Sequence, residues 1–302
     1  MNVPVVIQQI VSGDVKALAR TISLVENEAP GYEELQQQLP VSETKITGIT
    51  GPPGAGKSTL VDALIAGWVQ QGKKIGILCV DPSSPFNLGA LLGDRVRMSQ
   101  WYNHPAVFIR SLATRGSLGG LNPKIIEITD VMKAAPFDHI IVETVGVGQS
   151  EVEIAGLSDT TVVVLVPEAG DEIQTMKAGL MEIADIFVVN KADRPGADQF
   201  IKNLNLMLAP EFHSTRHAAP IVKTIAPGKT GIGELMEKIL LHQSNNFYNE
   251  KKVWLLAEKA YQLIQKARMK DISREDLARH IREQQSRKDF NLYRLIKTIL
   301  PT

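Results

Sequence analysis

Two rhythms of hydrophobic and polar positions divide the chain. Between Lys45 and about His242, short apolar runs recur with amphipathic stretches between most of them. The runs at 45–50, 74–80, 106–112, 138–145, 160–167, 185–190 and 220–226 read as strands. Thr161-Val-Val-Val-Leu-Val166 is apolar at almost every position, the pattern of a strand buried on both faces rather than one. The intervening stretches repeat apolar residues at helical spacing, as in Thr59-Leu-Val-Asp-Ala-Leu-Ile-Ala-Gly-Trp-Val69. Such alternation predicts an α/β fold, a mostly parallel sheet covered by helices on both faces.

Both flanks lack strands. Residues 1–44 read as a helical extension: Val15-Lys-Ala-Leu-Ala-Arg-Thr-Ile-Ser-Leu-Val25 has helical periodicity, and Pro30-Gly31 is expected to end it. After Ser244-Asn-Asn246 the chain turns charged and helical. Val253-Trp-Leu-Leu-Ala-Glu-Lys-Ala-Tyr-Gln-Leu-Ile264 repeats apolar residues at helical spacing, and Asp271-Ile-Ser-Arg-Glu-Asp276 suggests a cap before a further helix. The expected organisation is therefore an N-terminal helical extension (1–44), a nucleotide-binding domain (45–245) and a C-terminal helical extension (246–302) that packs on its own domain or serves as a dimerisation arm. The sequence holds no internal repeat and no low-complexity tract.

Composition narrows the class. Apolar residues make up 44% of the chain and charged residues 22%, which is ordinary for a globular protein. Lys and Arg number 33, equal to Asp and Glu, so bulk charge supplies no attraction to nucleic acid or to an anionic membrane. No apolar run approaches the ~18 residues of a membrane span. The N-terminus, Met1-Asn-Val-Pro-Val-Val-Ile-Gln-Gln-Ile10, lacks the leading positive charge of a secretory signal. Cys79, the single cysteine, sits in the apolar run Ile75-Gly-Ile-Leu-Cys-Val80 and reads as a small core residue. A cytoplasmic location is expected.

The chemistry is concentrated in four short motifs. Gly51-Pro52-Pro53-Gly54-Ala55-Gly56-Lys57-Ser58 fits G-x-x-x-x-G-K-[ST], and it stands between a strand and a helix, where that pattern has a mechanism. The glycines let backbone N–H groups converge on phosphate oxygens at a helix N-terminus, with Thr59 next in line. Lys57 can reach the β- and γ-phosphates, and the Ser58 hydroxyl can ligate Mg²⁺. The fold class is thus α/β of the P-loop NTPase type.

Asn190-Lys191-Ala192-Asp193 follows the strand-like Ile186-Phe-Val-Val189, about 130 residues after the glycine loop. At a strand end, N-K-x-D reads guanine. The Asp193 carboxylate accepts hydrogen bonds from the N1–H and exocyclic amine of the base, a donor pair that adenine lacks. Thr224-Ile225-Ala226 ends the next strand, where a backbone N–H can face the guanine oxygen. GTP and GDP are the expected ligands.

In Ile140-Ile-Val-Glu143-Thr-Val-Gly146, a strand ends in an acid with a glycine three positions on. Glu143 is placed to hold Mg²⁺ through water, and the Gly146 N–H to face the γ-phosphate. Asp81 ends the run expected to neighbour the glycine-loop strand, and Asp94 follows in Leu92-Gly-Asp-Arg-Val-Arg97; the two acids read as Mg²⁺ ligands or as switch residues. The position directly after Gly146, where a water-orienting glutamine commonly stands, is Val147, and Gln149 lies two residues further. An apolar side chain cannot orient water, so slow hydrolysis by the isolated chain is expected, with a partner or a rearranged loop supplying the acceleration.

With these residues in view, the chain resembles the ArgK/MeaB family of P-loop GTPases. The resemblance runs over roughly residues 14–245. Its carriers are Ala17-Leu-Ala-Arg-Thr-Ile-Ser-Leu-Val-Glu26, the glycine loop through Thr59, Asp81-Pro-Ser-Ser-Pro-Phe86, Gly93-Asp-Arg-Val-Arg-Met98, Arg110-Ser-Leu-Ala-Thr-Arg-Gly116, Val142-Glu-Thr-Val-Gly-Val-Gly-Gln-Ser-Glu151 and Asn190-Lys-Ala-Asp193. It implies a GTP hydrolase acting as a chaperone that gates cobalamin loading or protection of an acyl-CoA mutase, chiefly methylmalonyl-CoA mutase. It further implies a Mg²⁺ site around Ser58, Asp81, Asp94 and Glu143, catalytic roles for Lys57, Asp94, Glu143 and Gly146, a homodimer, and a third switch matching Pro167-Glu-Ala-Gly-Asp-Glu-Ile-Gln-Thr-Met-Lys177. Asn87-Leu88 and Val96 depart from the first-switch pattern, and Lys288-Asp-Phe-Asn-Leu-Tyr-Arg294 departs from the terminal one.

Two alternatives compete. A metal-insertion GTPase would carry a His-rich tract or Cys cluster, whereas this chain has six scattered histidines and one cysteine. A kinase acting on a transport protein would need a base for a protein hydroxyl and an adenine site, which Asn190–Asp193 opposes. Nucleotide choice tests the leading reading. Asp193→Asn should weaken GTP binding by about 10-fold or more, the equivalent of one or two mismatched buried hydrogen bonds, and favour xanthosine triphosphate, whose exocyclic oxygen suits an amide donor. Calorimetry showing equal ATP and GTP affinity in the unmodified protein would reject guanine recognition.

Overall fold

Among the described residues, seven strands form one sheet: β1 (Lys45–Thr50), β2 (Ile75–Asp81), β3 (Val107–Ala113), β4 (His139–Glu143), β5 (Thr160–Leu165), β6 (Ile186–Val189) and β7 (Ile221–Lys223). Each lies within or one residue beyond a run read from the sequence. The structure, a computed structural model, describes residues 1–81, 98–114, 121–144, 150–169, 181–208, 219–245, 249–285 and 290–299. The strand order is β3-β2-β4-β1-β5-β6-β7, and every pairing is parallel rather than mostly so.

One adjacency differs from expectation. β2, which ends at Asp81, does not neighbour β1; β4 lies between them, pairing with β1 on one side and β2 on the other. Parallel strands are joined by crossovers, so strands consecutive in sequence need not be neighbours in the sheet. The consequence is chemical: Glu143, not Asp81, ends the strand beside the glycine loop.

Strand alternation divides the apolar residues between two cores. On one face Val162 and Val164 of β5 pack with Ile49, Ile77, Ile141, Ile186 and Val188 under α4 (Lys57–Gln70) and, from later in the chain, the helix Ile232–Ser244. On the other, Val163 and Leu165 join Phe187, Val189, Phe200 and Leu204. Cys79 is buried in the first core, the structural role expected of it. Trp68, fully buried on α4, stacks on His139 with ring centroids 4.8 Å apart, and burial holds the His139 ring below the usual imidazole range.

Three helices precede the sheet: α1 (Val3–Val11), α2 (Val15–Glu26) and α3 (Tyr32–Gln38). Asp14 caps α2 by accepting from the N–H groups of Lys16 and Ala17. α2 ends at Glu26, before Pro30, and Gly31 (φ 91°) starts α3 instead of only ending its predecessor. This extension is pinned to the sheet layer by charge. Arg110 of β3 donates to Ser23 and Glu26, both at 3.1 Å. Buried Lys124, just before α5 (Ile125–Ala134), lies 2.8 Å from Glu28, 3.4 Å from Glu127 and over the Tyr32 ring. Removing one partner of so enclosed a group would strand the other, so these pairs fix the placement of α2 and α3 more than they add stability.

Among the described residues, α6 (Ser150–Leu157), α7 (Ala197–Leu208) and α8 (Ile232–Ser244) are the further helices flanking the sheet. The chain divides into two compact units, 1–253 and 254–302. The first includes residues 1–44 and 246–253 as well as the sheet, so the N-terminal helices share its body, and the second begins inside α9 (Glu250–Arg268). α10 (Arg274–Gln284) and α11 (Leu292–Ile299) follow. The cap read at 271–276 is formed by Ser273, whose hydroxyl accepts from the Asp276 N–H at 2.9 Å. Among the described residues, no helix is long and apolar enough to cross a membrane.

Candidate functional site

The C-terminal ends of parallel strands leave backbone groups and loop side chains along one edge, and the reversal of strand order around β1 opens a crevice there. That edge gathers most of the residues singled out from the sequence. β1 feeds the glycine loop, β4 ends in Glu143, β2 ends in Asp81, β6 leads into Asn190 and β7 into Thr224.

The loop 51–56 needs its glycines. Gly51 has φ 136°, and a Cβ there would lie 2.1 Å from the Val164 carbonyl oxygen of β5. Gly56 has φ 87°, and a Cβ there would meet the Asn190 amide nitrogen at 2.5 Å. Gly54, by contrast, faces open space. α4 begins at Lys57 with no side chain capping it, so its first N–H groups and the positive end of its dipole are directed at whatever fills the loop. A phosphate group fits that cradle.

Lys57 and Ser58 are buried and held by internal partners. The Lys57 ammonium donates to the carbonyls of Gly51 at 2.9 Å and Pro52 at 3.1 Å, the loop's own oxygens. Ser58 donates from its hydroxyl to Glu143 at 2.7 Å. Thr144 ties the end of β4 to β1 by donating to the Thr50 hydroxyl at 2.9 Å. Asp81 is buried at the end of β2, its carbonyl accepting from the Thr114 N–H at 3.1 Å. Ser58, Glu143 and Asp81 are hard oxygen donors at the same sheet edge, a set that suits Mg²⁺, which takes few protein oxygens and keeps waters and phosphates for the rest. Among the described residues, no group of three or more His, Cys, Asp and Glu side chains forms a metal cluster. Asp94, Gly146, Val147 and Gln149 lie outside the described residues, as do 170–177 of the third switch.

The Asn190–Asp193 segment is bonded directly to the glycine loop. Asn190, buried, donates from its side-chain amide to the Ala55 carbonyl at 2.9 Å. Its side-chain oxygen accepts from the Thr224 hydroxyl at 3.0 Å and from the Ala226 N–H at 3.3 Å. Lys191, at φ 55°, donates from its ammonium to the Gly54 carbonyl at 2.7 Å, stretching its stem along the loop. The Thr224 N–H is committed to Val189 at 2.9 Å and the Ile225 N–H to Thr230 at 3.2 Å. That leaves Ala226, with the longest of these bonds, as the N–H best placed for exchange to a ligand.

Two further links escaped the sequence reading. Arg194, next to Asp193, forms an ion pair with Glu168 at the start of the third-switch segment and holds that carboxyl below the usual range. Asp62, one turn beyond Ser58 on α4, accepts from the Trp101 indole at 2.7 Å and from Gln100 at 2.8 Å, anchoring the chain where it re-enters the described structure. The acid four residues after Ser58 was the available signal for Asp62. Nothing in the sequence marks Glu168 as a partner of Arg194.

Comparison with known proteins agrees with this geometry. A family model described as methylmalonyl-CoA mutase-associated GTPase MeaB matches residues 18–286. The chain belongs to the MeaB family. It is 50% identical over 242 residues to a putative GTPase of Pyrococcus abyssi, covering 78% of this chain and 75% of that one. It is 40% identical over 204 residues to a fused isobutyryl-CoA mutase of Geobacillus kaustophilus, covering 64% of this chain and 19% of that much longer protein. The crystal structure of a LAO/AO transport system kinase superposes with a TM-score of 0.69 at 25% identity, covering 93% of this chain and 89% of that one. Membership in a family of MeaB-type GTPases implies guanine-nucleotide binding.

The Asn190 bonds yield a test. Asn190→Ala would leave the Ala55 carbonyl and the Thr224 hydroxyl without their buried partner, at about 1–3 kcal/mol each. GDP affinity should fall by about 10-fold or more, and thermal stability should fall with it even without nucleotide. Unchanged calorimetric affinity would show that the amide does not join the two halves of the site.

Proposed function

We propose that this MeaB-family protein is a Mg²⁺-dependent GTPase, converting GTP to GDP and phosphate, that gates cobalamin loading or protection of an acyl-CoA mutase. Methylmalonyl-CoA mutase is the first candidate client. The observation that carries the GTPase reading is the direct bonding of Asn190 and Lys191 to the glycine loop, which makes base reading and phosphate holding one rigid unit. The family description supports the mutase partner, as does the name of the Geobacillus relative, a fused isobutyryl-CoA mutase.

In this reading Asp193 accepts from the guanine N1–H and amine while Ala226 donates to the base oxygen. Pro52, Pro53, Ala55, Thr59 and the three loop glycines shape the phosphate cradle. Lys57 exchanges the Gly51 and Pro52 carbonyls for the β- and γ-phosphate oxygens, a swap that keeps the buried ammonium paired throughout. Ser58, Asp81 and Glu143, with Asp94, would hold Mg²⁺. The bound ion would neutralise charge building on the phosphate oxygens. Ser58 and Glu143 give up their mutual hydrogen bond to make room for it. Gly146 is assigned to the γ-phosphate by its sequence position. Val147 orients no water, so the isolated chain turns over slowly.

The exposed apolar residues of the C-terminal unit, Trp254 (71% exposed), Tyr261 (64%) and Tyr293 (82%) among them, support pairing with a second copy. Sedimentation equilibrium should then give a dimer that loses mass on truncation after residue 245, and a monomeric full-length chain would remove this part of the reading. Single-turnover GTP hydrolysis with and without a cobalamin-dependent acyl-CoA mutase tests the rest. The mutase should accelerate hydrolysis on the order of 10²–10⁴-fold by positioning groups around the γ-phosphate. A fast intrinsic rate indifferent to the mutase would refute the chaperone role and leave the GTPase standing.

A further inference from the structure

Residues 249–252, at the root of α9, are fastened to the rest of the first unit. The Asn249 side-chain amide donates to the carbonyls of Ala155 at 3.1 Å and Ser158 at 3.2 Å. Its side-chain oxygen accepts from the Lys252 N–H at 3.2 Å, capping α9. Lys252 lies 3.5 Å from Asp159, whose other oxygen accepts from the Ile46 N–H at 2.8 Å. Lys251 donates to the Glu182 carbonyl. The two carbonyls that Asn249 takes up close α6 at its C-terminal end, where a helix lacks its own donors.

α6 starts at Ser150, directly after residues 145–149, and Glu182 stands two positions after residue 180. The chain therefore passes from the segment assigned to the γ-phosphate, through one short helix of about 12 Å, to the carbonyls held by Asn249. One side chain holds α6 with its nitrogen and starts α9 with its oxygen. An axial shift of α6 must either break both amide bonds or carry the first turn of α9 with it. Beyond that turn, α9 belongs to the second unit and exposes Trp254, Leu256, Tyr261 and Leu263.

We infer that Asn249 is a positioning residue through which nucleotide state reaches the C-terminal helices, a latch between α6 and α9 and more than a helix cap. The inference rests on the GTPase reading. Were Asn249 only a cap, its loss would lower stability equally in every nucleotide state. As a latch, its loss removes the difference between states, because coupling exists only where two arrangements are biased unequally.

Hydrogen exchange of the backbone amides of residues 252–260 separates these outcomes. The unmodified full chain, loaded with GDP or with a non-hydrolysable GTP analogue, should show exchange rates differing by about 3-fold or more between the two states. Asn249→Ser keeps an acceptor for the Lys252 N–H, but its single, shorter hydroxyl cannot hold both α6 carbonyls as the amide does. It should bring that difference below about 2-fold while changing nucleotide affinity and intrinsic hydrolysis by less than about 2-fold. Asn249→Ala, which loses the cap as well, should exchange faster in both states and show the same loss of difference. Amides indifferent to nucleotide in the unmodified chain, or a Ser variant that keeps the full difference, would overturn the latch. Failure to bind guanine nucleotides in calorimetry would overturn the GTPase reading, and the latch with it. Binding without an exchange difference overturns the latch alone.

Discussion

The buried amide of Asn190 is the joint on which the site depends. Its nitrogen holds the glycine loop at Ala55, and its oxygen gathers the Thr224 hydroxyl and the Ala226 N–H. Three segments far apart in sequence, after β1, β6 and β7, are thereby set directly against one another. Gly56 is required for the same reason, since any Cβ there would collide with the Asn190 side chain. The parallel sheet makes the meeting possible by delivering the C-terminal ends of these strands to one edge.

Around that joint the charged groups are kept paired. Lys57 rests on the carbonyls of its own loop, and Ser58 rests on Glu143. A buried ammonium and a buried carboxylate without partners would be costly, and these contacts keep both paired within the protein. The same logic governs the N-terminal helices, where Glu26 and Glu28 meet Arg110 and Lys124. Those pairs bind the extension to β3 and to the start of α5.

Membership in the MeaB family and the nearness of a fused mutase among its relatives turn attention from the nucleotide to what lies beyond it. α6 and the first turn of α9 connect through Asn249. Exposed aromatic residues then follow on α9.

Much of this was legible in the sequence because it is local. Seven strands, the glycine loop, the acid ending β4 and the Asn190–Asp193 segment each follow from periodicity or spacing within a few residues. Glycine tolerance, helix starts and apolar runs are properties of short segments. What the tertiary structure decided is non-local. β4 stands between β1 and β2, against the expected neighbourhood of Asp81, because crossover connections leave strand order free. The N-terminal helices share the body of the sheet because of ion pairs whose partners lie some 84 to 96 positions apart along the chain. Asn190 reaches back 135 positions to Ala55, and Asn249 reaches back 94 to Ala155. A side chain's hydrogen-bond capacity can be read from its type, but the atom that satisfies it is chosen only when the chain packs.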